Sequence, residues 1–157
     1  MFEVMDNLKV DIPSLIMVIT FTGNIIISYF FPSNILLHIR FAEALLFLGF
    51  VFFMYVIFYL REGFFGETEP IIDHLIVEGP YGFCRHPLYL SFIIIVLSID
   101  LVFRSLIGIL YTFIISIPSA IYRAKIEDML LREKFGEKWD NYAEQVGFLL
   151  PKIRAKK

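Results

Sequence analysis

The groups in this 157-residue chain best suited to chemistry are an arginine, an imidazole and two carboxylates, set on either side of an apolar stretch. The first block is Gly79 to Tyr89, GPYGFCRHPLY, where Arg85 supplies a fixed charge and His86 a titratable ring. Pro87 follows directly. Proline at the first turn of a helix needs no N–H and pre-sets the chain direction, so the loop before it is aimed rather than free. The second block holds Glu127 and Asp128, with Arg123 one turn earlier on the face that Glu127 shares. Fixed and titratable charges at the mouth of an apolar helix are usually there to bind something.

The elements that must position these groups follow from composition. The chain is 58% hydrophobic and 17% aromatic, with a mean hydropathy of +0.73, far above a soluble domain. Four stretches have the length and apolarity of transmembrane helices: Ile12–Phe31, Phe41–Leu60, Pro87–Phe103 and Ser105–Tyr122. The last two are short and separated by Arg104, which predicts a tight helical hairpin, tilted or re-entrant. The expected fold is therefore all-α. It is a polytopic membrane bundle of about four helices followed by an amphipathic C-terminal helix, a single domain over residues 1–157. Residues 61–86 form a central loop and 123–157 a tail. The first helix lacks a basic flank and a small-residue cleavage site, so it reads as a span rather than a removable signal.

Nine of the fourteen Lys and Arg lie from Arg123 onward, and Lys9, Arg61 and Arg85 fall on the same side of a four-span topology. The positive-inside rule then predicts cytoplasmic termini and a cytoplasmic central loop, in the cell membrane or in the endoplasmic reticulum of a eukaryote. The one cysteine, Cys84, excludes an intramolecular disulfide. No nucleic-acid partner is expected.

The tail opens with apolar residues Tyr122, Ile126, Met129 and Leu130 at helical spacing, and Trp139, Tyr142, Ala143 and Val146 form a second stripe. Alone, such a helix reads as one resting in the lipid headgroup layer. Read with the first block, it carries more. GPYGFCRHPLY, the apolar hairpin, then RAKIED with Leu131, Phe135 and Gly136, and LPKI at Leu150–Ile153, resemble the isoprenylcysteine carboxyl methyltransferase family, which is related to phospholipid N-methyltransferases. The resemblance covers about half the chain. RHPxY alone is shared with membrane sterol reductases, which carry Asn where this chain has Leu88; its pairing with the second block points to the methyltransferase branch.

That resemblance implies an S-adenosylmethionine-dependent membrane enzyme whose cofactor lies in a cytoplasmic pocket. The pocket would be built by the RHPxY loop, the last hairpin and the following helix. It assigns Tyr81, Arg85, His86, Tyr89 and Glu127 to the cofactor: Arg85 and His86 for its carboxylate, Glu127 for its ammonium or ribose, and the tyrosines beside the adenine. No glycine pair has the spacing of a dinucleotide loop, and about 60 extramembrane residues are too few for a soluble methyltransferase domain. The resemblance puts a lipidic or prenylated carboxylate ahead as methyl acceptor, with Arg85, Arg123 and Asp128 as catalytic residues and Arg123 orienting the acceptor. An amine headgroup needs a base instead, for which Glu127 or Asp128 would serve. The further alternatives are a sterol-type reductase and a non-enzymatic membrane protein.

The departures concern the acceptor more than the cofactor. Asp128 stands where relatives often carry a second Glu, Trp139 where Tyr is common, and Ser91 where Gly is frequent. The spacing of Asp73, His74 and His86 fits no metal motif, and no metal is expected. Cys84 reads as an inert structural thiol. Glu43 and Asp100, near predicted helix ends, are expected to anchor at the interface or pair with Arg40 and Arg104.

Overall fold

A computed structural model describes residues 12–33, 39–64 and 75–152. The expectations placed on Lys9, Asp73, His74 and Ile153 lie outside the described residues. Among those described there are seven α-helices and no strand: α1 Ile12–Phe30, α2 Ile39–Phe64, α3 Pro80–Phe83, α4 Pro87–Val102, α5 Leu106–Tyr111, α6 Ile117–Phe135 and α7 Glu137–Gln145. A π-helical turn, Thr112–Ser116, joins α5 to α6 without a break. Three helices are long and apolar enough to cross a membrane: Ile12–Phe30, Ile39–Leu60 and the continuous Leu106–Phe135. The fourth apolar helix, α4, is shorter, about 24 Å against a hydrocarbon core of about 30 Å. The chain is a helical membrane protein with about four spans.

One element differs from its sequence-based expectation. The last helix does not end at Tyr122 with a separate tail beyond it; it runs on to Phe135. Thirty residues make a rod of about 45 Å, longer than a hydrocarbon core of about 30 Å, and Glu127 and Asp128 lie in its last third. The last span and the helix expected at the start of the tail are one element, since an α-helix continues through a change of solvent if nothing breaks its backbone. The only interruption is the π turn. Pro118 has no N–H to offer the carbonyl of Ile114, and the Ile117 N–H reaches back five residues to the Thr112 carbonyl.

The hairpin between α4 and α5 is as tight as expected. Arg104 takes a left-handed φ of 54°, and Ser105 caps α5 by accepting from the Gly108 N–H at 3.0 Å. The helices pack with their small and polar residues inward and their large apolar ones outward. Phe21, Asn24 and Ser28 are the buried residues of α1, whereas Ile19, Phe30, Phe47 and Phe58 of α1 and α2 are exposed. That inversion suits lipid, which offers large side chains no reason to hide and leaves helices to associate through close packing and hydrogen bonds.

Asp100 corrects another expectation. It is fully buried rather than interfacial, and it accepts from Ser28 Oγ and Thr112 Oγ1, both at 2.5 Å. Arg104 is exposed, as are Glu43 and Arg40. Asn24 extends the network by donating to Thr112 Oγ1 and Ser116 Oγ, and Thr20 meets Ser119 at 2.8 Å. α1 is thereby stitched to the rod from α5 to α6 by a ladder of polar contacts inside the bundle.

Candidate active site at the end of the bundle

The two blocks singled out in the sequence meet at the end of the bundle where α4 begins. Gly79 takes a φ of 57° against the Tyr59 ring of α2, where a side chain would collide, and this turns the chain into the short α3. Pro87 starts α4. Between them, Cys84 to His86 are zipped to the chain that follows α7, with Cys84 itself extended. The Arg85 N–H donates to the Gly147 carbonyl at 2.8 Å and the His86 N–H to the Phe148 carbonyl at 3.2 Å. A parallel bridge pairs Cys84 with Gly147. Gly147 has no room for a Cβ, which would strike the Leu150 carbonyl.

α6 brings its carboxylates to this loop. His86, 2% exposed, holds Asp128 Oδ1 through Nε2 at 2.7 Å, and Arg85 Nη1 reaches Asp128 Oδ2 at 3.2 Å. Both oxygens of Asp128 are thus engaged from one side. Glu127 accepts from Tyr89 Oη at 2.5 Å, with Tyr89 itself buried on the first turn of α4. Tyr142 of α7 donates to the Tyr81 carbonyl at 2.7 Å, tying the third wall to the first. Burial raises the pKa of the Tyr81 phenol, with Glu127 adding to the effect, and burial likewise raises that of Tyr142. The same desolvation pushes the Cys84 thiol up to about 11, which keeps it an unreactive thiol at neutral pH.

Arg123 is the site residue that the geometry separates from the rest. Its Nε donates to Ser14 Oγ of α1 at 2.7 Å, while Glu127, one turn further along α6, turns to Tyr89. Shared face on a helix did not mean shared partner, because different helices lie against successive turns. Phe148 and Gly147 escaped the sequence reading altogether. Their only signal was a glycine in the segment after an amphipathic stripe, and glycine alone does not say what the backbone approaches.

Two cavities flank Arg85. One, of about 60 Å³, is lined by Leu60, Tyr81, Glu127, Trp139 and Tyr142 among others. The other is an open groove of about 570 Å³ bordered by Arg85, Asp128, Arg132, Asp140 and Glu144, within the size range of small-molecule sites. The groove sets Arg85, Arg132 and Lys152 among Asp128, Asp140 and Glu144, so it offers a ligand both signs of charge at short range. Arg85 Nε is buried without a hydrogen-bond partner among the described residues, a donor suited to an acceptor that arrives with a ligand. These residues fit S-adenosylmethionine, which carries a carboxylate, an ammonium and a sulfonium. No cluster of metal-binding side chains occurs among the described residues.

A third cavity, of about 390 Å³ and almost wholly apolar, opens between α1 and α2 over α4. Met17, Phe21 and Phe92 line its wall and also pack on the core that contains Tyr89. The family model described as phospholipid methyltransferase matches residues 37–138. No curated protein matches the chain.

Proposed function

The chain belongs to the phospholipid methyltransferase family, and from that premise we propose that it is an S-adenosylmethionine-dependent enzyme that methylates the amine of a phospholipid headgroup. It is a membrane methyltransferase acting on lipid-like substrates; the amine is the finer step. One observation carries it. The Arg85 guanidinium already faces Asp128 at 3.2 Å, and the neighbouring carboxylate, Glu127, is held by the Tyr89 hydroxyl. A carboxylate acceptor would add a further negative charge, whereas an ammonium headgroup is drawn in and must then lose a proton.

When bound, S-adenosylmethionine supplies the methyl group as a sulfonium that leaves as a neutral thioether. The chain's own groups do the rest. Glu127, oriented by the Tyr89 hydroxyl rather than by a cation, takes the headgroup proton and frees the nitrogen lone pair. Arg85 and His86, fixed on Asp128, hold the carboxylate end of the cofactor. The apolar cleft beside Phe21 and Phe92 accommodates acyl chains and keeps the headgroup at the height of Tyr89. The excess of Lys and Arg toward the end of the chain supports a cytoplasmic orientation of this face. The chain acts as one membrane domain.

A second reading, carboxyl methylation of an isoprenylcysteine-like acceptor, is favoured by the sequence of the RHPLY and RAKIED blocks. The two are separated by assaying the full chain in nanodiscs with methyl-tritiated S-adenosylmethionine. Phosphatidylethanolamine and an N-acetyl farnesylcysteine are offered in parallel. Label in the phospholipid supports the amine reading; label only in the farnesylcysteine overturns it in favour of the second.

A further inference from the structure

Arg85 is held by more than its ion pair. Its guanidinium carbon lies 5.8 Å from the ring centre of Trp139 and 5.4 Å from that of Phe148. Trp139 comes from α7 and is 3% exposed. Phe148 comes from the strand-like segment zipped to the loop, and its ring also meets His86 edge-on at 4.9 Å. A guanidinium stripped of most of its water gains from the negative faces of aromatic rings, and more so when desolvated. A long flexible side chain confined by two rings also has fewer ways to leave its partner. Both aromatics lie beyond the stretch that the family model matches, residues 37–138.

We propose that Trp139 and Phe148 are positioning residues that clamp Arg85 in the orientation in which it pairs with Asp128 and presents its Nε to the ligand. Neither touches the reacting atoms. Phe148 reaches Arg85 only because the Arg85 and His86 N–H groups are bonded to the Gly147 and Phe148 carbonyls. The segment after α7 is therefore part of the site and not a trailing end. The role in ligand binding rests on the proposed function; the clamp itself does not.

The experiment has two arms, both on the full chain in detergent. In the first, proton–nitrogen spectra with labelled arginine locate the Arg85 Hε, assigned by its loss in Arg85→Lys. The expected resonance is displaced from the random-coil position by ring currents, and it returns there in Phe148→Leu and in Trp139→Leu. An Arg85 signal unmoved in both variants overturns the clamp. In the second arm, calorimetry with S-adenosylhomocysteine gives about a five- to tenfold weaker Kd for Phe148→Leu, restored in Phe148→Tyr. Equal affinity in parent and Phe148→Leu overturns the positioning role. Absence of binding by the parent counts against the proposed function, and the spectra still decide the clamp. If Phe148→Leu does not fold, Trp139→Phe serves in both arms, with a smaller displacement expected.

Discussion

Asp128 is the residue on which the site closes, since it answers both the imidazole of His86 and the guanidinium of Arg85. Removing it leaves a largely buried arginine without its counter-charge, a change that costs more than the pair itself contributes. Asp128→Ala should lower stability by about 3 kcal/mol, read from denaturation in mild detergent. Asp128→Asn, which keeps one acceptor oxygen for one of the two neighbours, should cost less than the alanine change. Cys84 gives a prediction in pH. The thiol ordinarily titrates near 9 but holds its proton to about 11 in the folded chain. Between those values the unfolded chain binds fewer protons, so stability falls as pH rises from 9 to 11. Cys84→Ala should flatten the lower part of that fall in urea titrations at successive pH values. The same thiol should resist iodoacetamide at pH 8 until the protein is unfolded.

At the scale of elements, the polar ladder between α1 and the long rod does what apolar packing does in a soluble bundle. Lipid rewards no particular pairing of apolar faces, so hydrogen bonds and close backbone approach have to set register. Gly108 marks the closest approach, since a Cβ there would collide with Ser28 Oγ and crowd Asp100. Gly108→Ala should therefore destabilise the fold by about 1–3 kcal/mol, seen as a lower thermal midpoint in detergent. The effect should reach the site through α6, because the rod that bears Gly108 also bears Glu127 and Asp128. The π turn at Thr112–Ser116 belongs to the same device, as it presents both of those hydroxyls to Asn24.

At the scale of the whole molecule, α4 is the shared floor. Its first turn carries Tyr89 of the site, and further down Phe92 and Val96 line the apolar cleft between α1 and α2. On the proposed function, headgroup chemistry and acyl-chain accommodation would sit one or two helical turns apart on a single element. Thr22, exposed on α1 at the rim of that cleft, offers a test of their separation. Thr22→Trp should raise KM for a lipid acceptor while leaving S-adenosylhomocysteine affinity within about twofold. Unchanged kinetics with every lipid acceptor would remove the cleft from the account.

The sequence by itself determined the class of the fold and singled out the two blocks that meet at the end of the bundle. Apolar runs of span length have few alternatives in water or in lipid, and Arg85, His86, Glu127 and Asp128 are costly residues to keep beside such runs without a use. Pairings were another matter. Periodicity places Arg123 and Glu127 on one face, but only the packed bundle sets Ser14 against one and Tyr89 against the other. Hydropathy placed Asp100 at an interface, yet the hydroxyls that bury it come from α1, 72 residues earlier, and from the π turn across the hairpin. Phe148 became part of the site through two backbone hydrogen bonds to a loop some sixty residues earlier, as the Tyr142–Tyr81 bond, 61 residues apart, also shows. Local pattern records what a residue is and which way its own helix turns it. Its partner is chosen by the neighbouring element, and that choice exists only once the chain has closed on itself.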